Sequence, residues 1–298
     1  MVALAQTQPA LPNDPVRLRA TDGVGLACEF HGPGAGPAVA FAHGFGQTRH
    51  AWRATARHLG ERGWRTLIAD GRGHGDSGWV DHGGYRFEQF IDDTACLAEA
   101  AGGRPAWVGA SMGGLLGMVA EAQAPSGRFA ALVLVDITPR WEARGVERII
   151  GFMRAHPQGF ASVEDAQAAV RDYLPHRAHD KDPARLSKLL VPMANGRLRW
   201  HWDPRLLETV AHEAERWGPL LADAARALRL PVLLVSGGRS DVVSRHTIDE
   251  FLQLAPHAEH AQLADATHMV AGDANDRFTA TIADFLHRIG HAPTRSHP

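Results

Sequence analysis

Short apolar runs alternate with amphipathic stretches in the first half of the chain. The predicted strands are residues 38–42, 65–69, 105–110 and 131–137, and the helices between them are residues 48–60, 86–101 and 111–123. Continuous apolar runs are typical of strands that are covered on both faces of a sheet. Because strands and helices alternate, the connections are crossovers and the sheet is parallel. Ahead of them, residues 16–20 and 26–30 flank a Thr-Asp-Gly turn and predict an opening hairpin.

Between Thr138 and Arg229 the pattern changes to a series of helical segments. The predicted helices of this part are residues 142–156, 162–173, 183–191, 204–212 and 215–228, with no strand between them. Strand character returns at residues 231–235, and a helix, a last strand and a closing helix end the pattern. We therefore predict an α/β core domain, residues 1–138 and 229–298, into which a helical cap, residues 139–228, is inserted.

Length and composition are those of a globular protein. The chain has 298 residues, of which 45% are hydrophobic, enough to bury a full-sized core. The formal net charge is −2 and no basic stripe is interleaved with aromatic residues, so we expect no nucleic-acid partner. No apolar run is long enough to cross a bilayer, and residues 1–15 lack the features of a signal peptide. Cys28 and Cys96 indicate buried thiols rather than a disulfide framework. We expect a cytoplasmic monomer or homodimer with no membrane contact.

The segment Gly109-Ala110-Ser111-Met112-Gly113 carries the clearest chemical signal. It lies between a predicted apolar strand and a predicted apolar helix. Such a sharp strand-to-helix turn holds its central serine in strained backbone geometry, which only small flanking residues tolerate. The spacing of the glycines therefore predicts that Ser111 is a nucleophile.

A serine hydroxyl needs a base, normally histidine, and the histidine needs a carboxylate that orients it. His268 follows the last predicted strand and is the candidate base. Asp241 follows the strand 231–235 and Asp136 ends the strand 131–135, so either carboxylate is a candidate acid. We favour Asp241, because nucleophile, acid and base then follow successive strands. Asp136 stays the alternative; its other role would be to hold a loop or the cap hinge.

Attack on a carbonyl creates an oxyanion, which two backbone N–H groups should face. The amide of Met112, directly after the nucleophile, is one candidate. The segment His43-Gly44-Phe45-Gly46 supplies the other, since its glycines let the backbone approach a ligand. We choose the Phe45 amide and expect His43 to hold this loop in place.

Residues 70–78, Asp-Gly-Arg-Gly-His-Gly-Asp-Ser-Gly, are rich in groups that bind metals or phosphate. No lysine precedes a Ser or Thr at the spacing of a phosphate-binding loop. The neighbouring cluster of His74, Asp76, Asp81 and His82 lacks the spaced pairs of zinc sites. We therefore expect a hydrogen-bonded loop and no metal, with a His/Asp metal site as the alternative.

In this order, residues 43–46, 70–77 and 109–114 and the downstream residues Asp241 and His268 resemble the markers of the α/β-hydrolase fold superfamily, over nearly the whole chain. The resemblance implies a mostly parallel eight-stranded sheet with helices on both faces, a Ser-His-Asp triad and no cofactor. The early segments are also similar to epoxide hydrolases and haloalkane dehalogenases, but those carry aspartate at the nucleophile position. Ser111 argues against both chemistries.

The substrate pocket is expected where the cap meets the catalytic groups. Trp141 and Trp202 of the cap supply large rings, and Val243 and Met269 adjoin the candidate acid and base in sequence. Together they predict an apolar pocket for an acyl or alcohol group. The alternative for each tryptophan is that it attaches a cap helix to the core.

These inferences predict a serine carboxylesterase that hydrolyses small hydrophobic esters, monoesters or lactones through an acyl-enzyme. Two alternatives stay open. The same triad and cap can support hydrolysis of a carbon–carbon bond in a diketone, and a protein of this kind can also be a ligand receptor with slow turnover.

Overall fold

An eight-stranded sheet forms the centre of the computed structural model, which describes residues 15–81, 84–175 and 186–293, without the side chains of residues 209–216. The strands of this part are β1 (Val16–Arg19), β2 (Gly25–His31), β3 (Ala38–Ala42), β4 (Arg65–Ala69), β5 (Ala106–Ala110), β6 (Ala131–Val135), β7 (Leu190–Pro192), β8 (Leu198–Trp200), β9 (Val232–Gly237) and β10 (Glu259–Leu263). The order across the sheet is β1-β2-β4-β3-β5-β6-β9-β10, and β7 and β8 pair separately.

The sheet is mostly parallel, as predicted. Only the pairs β1–β2 and β2–β4 are antiparallel, and the first of these is the predicted opening hairpin. From β4 to β10 neighbouring strands run parallel, and crossovers connect the strands that follow one another in the chain. Parallel strands end at the same edge of a sheet, so the segments that follow β3, β5, β6, β9 and β10 share one side of the molecule.

Helices cover both faces of the sheet. The helices of the described residues are α1 (Arg53–Gly60), α2 (Phe87–Ala101), α3 (Met112–Ala122), α4 (Ala143–Arg154), α5 (Val163–Tyr173), α6 (Leu206–Ala227), α7 (Arg245–Leu254), α8 (Val270–Asp273) and α9 (Asn275–Arg288). Helices α2, α3 and α7 pack on one face, and α1 and α9 pack on the other. Side chains alternate along each strand, so Trp107 faces the first layer and Val108 the second.

The segment between β6 and β9 adds no strand to the large sheet, and we keep the name cap for residues 139–228. The expectation of no strand within it is wrong, because β7 and β8 form an antiparallel pair. Strands of three residues are too short for an alternating pattern to reveal them. The two helices predicted at residues 204–228 are the single helix α6, which continues through Pro219. The start of the predicted helix 183–191 lies outside the described residues.

None of the helices in the described part of the chain combines the length and the apolar character that a membrane crossing requires.

Candidate active site

Ser111 lies in the turn between β5 and α3 and has a φ of 47°, in the left-handed region that side chains rarely adopt. Two neighbouring glycines make this turn possible. A Cβ at Gly109 would overlap the Gly113 carbonyl, and a Cβ at Gly113 would lie 2.6 Å from the carbonyl oxygen of Ala42. The sequence spacing that predicts the turn therefore has a steric cause in the structure.

His268 follows β10, and its Nδ1 lies 2.8 Å from Oδ2 of Asp136. The Asp136 carboxylate is fully buried, while the His268 side chain is 11% exposed. Two further donors reach this carboxylate: the Gly237 amide donates to Oδ1 at 2.7 Å, and the Ser240 hydroxyl donates to Oδ2. Since a carboxylate only accepts, Nδ1 of His268 carries the proton, which leaves Nε2 as the acceptor nitrogen.

The predicted contact between Asp241 and His268 is not formed, which corrects our preference between the two candidate acids. The Asp241 carboxylate instead accepts a hydrogen bond from Nε of Arg148 on cap helix α4, at 2.6 Å. Both side chains of this pair are partly exposed, 43% for Arg148 and 37% for Asp241. The loop after β9 turns Ser240 towards Asp136 and Asp241 towards the cap, so the carboxylate of the neighbouring strand reaches the imidazole.

Ser111 and His268 line the same cavity, which has a volume of about 230 Å³. No hydrogen bond joins them, and within the described residues neither the Ser111 hydroxyl nor Nε2 of His268 has another partner. Both polar groups are therefore free to engage a molecule bound in the cavity. Catalytic hydrogen bonds of this type commonly tighten only when substrate is bound.

The amides of Phe45 and Met112 have no acceptor among the described residues. Met112 begins helix α3, where the first amides have no partner within the helix and attract negative charge. Phe45 lies between two amides that are already used: Gly44 donates to Gln47 at 3.3 Å, and Gly46 donates to Nε2 of His74 at 3.1 Å. This arrangement leaves the two amides predicted for the oxyanion hole available to an anion.

Three buried imidazoles hold the loops beside these amides. His43 accepts from the Gly71 amide at 2.8 Å, His74 accepts from Gly46, and His201 of the cap accepts from the Gly75 amide at 2.9 Å. A protonated ring has no acceptor nitrogen, so each contact requires a neutral ring. Burial lowers the pKa of all three histidines, to about 4 for His201. His43 thus holds its loop, as expected.

The loop of residues 70–78, for which a metal site is the alternative interpretation, is held together by hydrogen bonds and ion pairs. Both ring nitrogens of His74 bond to backbone groups, and the Asp70 carboxylate pairs with Arg49 and accepts from the Asp76 amide at 2.9 Å. Within the ranges that the structure describes, no group of three or more His, Cys, Asp or Glu side chains is arranged to hold a metal ion. His82 lies outside those ranges.

The cavity is mainly apolar and aromatic. Its lining consists of Gly44, Phe45, Gly46, Gln47, Ser111, Ile149, Phe152, Met153, Val170, Tyr173, Leu174, Leu186, Leu189, Trp200, Trp202, His268 and Met269. The rings of Phe152 and Tyr173 are stacked at 4.2 Å and those of Trp200 and Trp202 at 5.2 Å. No Lys, Arg, Asp or Glu is among the described lining residues.

Two of the four predicted pocket residues line this cavity, Trp202 and Met269. Trp141 instead lines a separate groove of about 520 Å³ beside α7, and this larger groove contains none of the candidate catalytic residues. Val243 is buried in the core, and its amide donates to Ser240 at 3.1 Å. Sequence reasoning missed the wall formed by α4 and α5. The apolar spacing of Ile149, Phe152 and Met153, at positions i, i+3 and i+4, was the available signal.

The buried histidines predict a loss of stability in acid. A folded-state pKa of about 4 for His201, below its ordinary value of 6.5, means that the unfolded chain binds a proton that the folded protein excludes. The free energy of unfolding is therefore unaffected by protonation of His201 above pH 6.5, and it falls by up to about 3 kcal/mol as the pH drops towards 4. Urea unfolding at several pH values measures this slope. His201→Gln, which keeps an acceptor but does not titrate, should have a shallower slope; equal slopes would contradict the prediction.

Comparison with known proteins identifies the family. Residues 37–274 match the α/β hydrolase fold family, and the chain belongs to it. It is 29% identical to the 3-hydroxybutyrate-oligomer hydrolase of Cupriavidus necator over 76% of this chain and 80% of that one. It is 27% identical to the 2-(acetamidomethylene)succinate hydrolase of Mesorhizobium japonicum over 80% and 83% of the two chains. The crystal structure of E-2-(acetamidomethylene)succinate hydrolase superimposes with a TM-score of 0.80 at 24% identity, covering 92% of this chain and 99% of that chain.

Proposed function

We propose that this protein is a serine esterase that hydrolyses small, uncharged, hydrophobic carboxylic esters through an acyl-enzyme. The observation that carries the proposal is the shared apolar cavity, in which a strained serine, an imidazole held by a buried carboxylate and two unpaired amides meet. These are the groups that acyl transfer requires. The acid in the proposal is Asp136.

In the proposed reaction the Ser111 oxygen attacks the ester carbonyl while Nε2 of His268 takes the hydroxyl proton. The charge that develops on the carbonyl oxygen is held by the Phe45 and Met112 amides, each of which contributes about 3 kcal/mol. Asp136 stabilises the imidazolium through Nδ1. Collapse of the intermediate breaks the ester bond, and the imidazolium gives its proton to the leaving alcohol. Water then attacks the acyl-enzyme by the same steps and releases the acid.

The preference for an uncharged acyl group rests on the lining of the cavity. A carboxylate moved into an apolar site loses its hydration, and it needs a cation or several donors to replace the water. The described lining supplies no Lys or Arg. One relative is named for the hydrolysis of a 3-hydroxybutyrate oligomer and the other for that of 2-(acetamidomethylene)succinate. The preference for an uncharged group therefore rests on the lining of the cavity and not on these names.

A panel of p-nitrophenyl esters tests the substrate class. We expect the butyrate ester to be hydrolysed with a kcat/KM about 100-fold above that of the hemisuccinate ester, because the second carboxylate must be desolvated without a partner. The panel should include a lactone and a vinylogous diketone. A diketone that is cleaved while the esters are not would contradict the proposal.

A fluorophosphonate probe followed by mass spectrometry should label Ser111; labelling of another serine would also contradict the proposal.

A further inference from the structure

The loop between β9 and α7, residues 238–244, makes several contacts that the proposed chemistry does not use. The start of the loop is held to the end of β10 and the residues that follow it. The Gly238 amide donates to the Leu263 carbonyl at 2.8 Å, and the Arg239 amide donates to the Ala266 carbonyl at 2.9 Å. It therefore starts from a fixed position beside the candidate catalytic pair.

Ser240 lies at the centre of this loop and joins it to the candidate acid. Its hydroxyl donates to Oδ2 of Asp136, the same oxygen that contacts His268. The hydroxyl oxygen also accepts from the amides of Val242 and Val243, both at 3.1 Å. Because two donors point at the oxygen, its own proton is directed to the carboxylate.

Cap helix α4 clamps the other side of the same loop. The Glu142 amide donates to the Val242 carbonyl at 2.9 Å, and the Ser244 hydroxyl donates to the Glu142 carboxylate at 2.6 Å. Gly145 of α4 is packed so closely on the loop that a Cβ there would overlap the Asp241 carbonyl oxygen. With the Arg148–Asp241 ion pair, these contacts fix the loop to the first turns of the helix.

We propose that Ser240 is a positioning residue for the Asp136–His268 pair, and that cap helix α4 sets the place of Ser240 through the 238–244 loop. The same helix supplies Ile149, Phe152 and Met153 to the cavity wall, so one element both shapes the substrate site and orients the carboxylate. The inference rests on the proposed function, because it assigns Asp136 the role of catalytic acid.

Replacement of the Ser240 hydroxyl is the first test. A hydrogen bond to a charged group contributes about 1.5–3 kcal/mol, so Ser240→Ala should lower kcat for p-nitrophenyl butyrate about 10- to 100-fold. KM should stay unchanged, since Ser240 does not line the cavity. Ser240→Thr keeps the hydroxyl and should recover most of the kcat. A kcat for Ser240→Ala within about twofold of the wild-type value, or a loss that appears mainly in KM, would overturn the proposal.

Two glycines of α4 form a matched pair for the second test. Gly145→Ala forces the helix and the loop apart, whereas nothing lies within 4 Å of a Cβ at Gly151. We expect Gly145→Ala to lower kcat about 10-fold and Gly151→Ala to leave it unchanged. In the Ser240→Ala background the effect of Gly145→Ala on kcat should largely disappear, because the helix acts through that hydroxyl. If the fold-losses in kcat of the two single variants simply multiply in the double variant, the link between the helix and Ser240 is overturned.

The failure of this inference is distinguishable from the failure of the proposed function. If Ser111→Ala still hydrolyses the ester, the proposed function fails and this inference fails with it. If Ser111→Ala and Asp136→Asn are inactive while Ser240→Ala is fully active, the esterase assignment stands and only the role of Ser240 is overturned.

Discussion

Ser111→Ala is expected to lower kcat for p-nitrophenyl butyrate about 10⁵- to 10⁶-fold, the loss typical of removing a serine nucleophile. The fold should be unaffected. The Ser111 hydroxyl has no hydrogen-bond partner among the described residues, and alanine occupies the same positive φ at no greater steric cost. Hydrolysis rates before and after treatment with a fluorophosphonate, together with the melting temperature, measure both parts of the prediction.

Ser111→Gly is the matched control for this substitution. Glycine adopts a φ of 47° freely, so this variant should be inactive and yet more stable than the wild type, by about 1 kcal/mol. Loss of activity together with a gain in stability separates a chemical role from a structural one. If either variant keeps more than about a tenth of the wild-type kcat, Ser111 is not the nucleophile.

The sheet and the sharp turn at Ser111 were predictable because their causes are local. A buried parallel strand is a continuous apolar run, and β3 to β6 are recognisable from composition alone. The turn at Ser111 needs glycines at fixed offsets for steric reasons, so residues 109–113 contain the whole signal. The family match over residues 37–274 agrees with the predicted fold.

Local sequence does not decide which of the two carboxylates, Asp136 or Asp241, contacts His268. Asp136 and Asp241 both follow parallel strands, and the sequence does not state which way each side chain turns. The difference arises from Arg148, which pairs with Asp241, and from Ser240, which faces Asp136. Neither contact can be read from local sequence, because the paired residues lie 93 positions apart in the first and 104 in the second.

Which cap residues form the wall of the cavity also depends on long-range packing. Trp141 and Trp202 are both large aromatic residues of the cap, yet only Trp202 lines the cavity. Phe152 and Tyr173 lie on different helices and become neighbours only when α4 and α5 pack together. Helical spacing predicts that such faces are buried, but it does not tell whether they face the core or a substrate.

Asp136→Asn and Asp241→Asn decide which carboxylate serves His268. Asn at position 136 would present an amide N–H₂ to Nδ1, which favours the tautomer with the proton on Nε2; that nitrogen then cannot accept the serine proton. We expect kcat to fall about 10⁴-fold, as for the equivalent change in other serine hydrolases. Asp241→Asn removes only a partly exposed ion pair with Arg148, which contributes at most about 1 kcal/mol, and kcat should change less than about fivefold. The rate of fluorophosphonate labelling should follow the same order, because the probe needs the same activated hydroxyl. A larger loss at Asp241 would reverse the assignment and return the acid to the loop after β9.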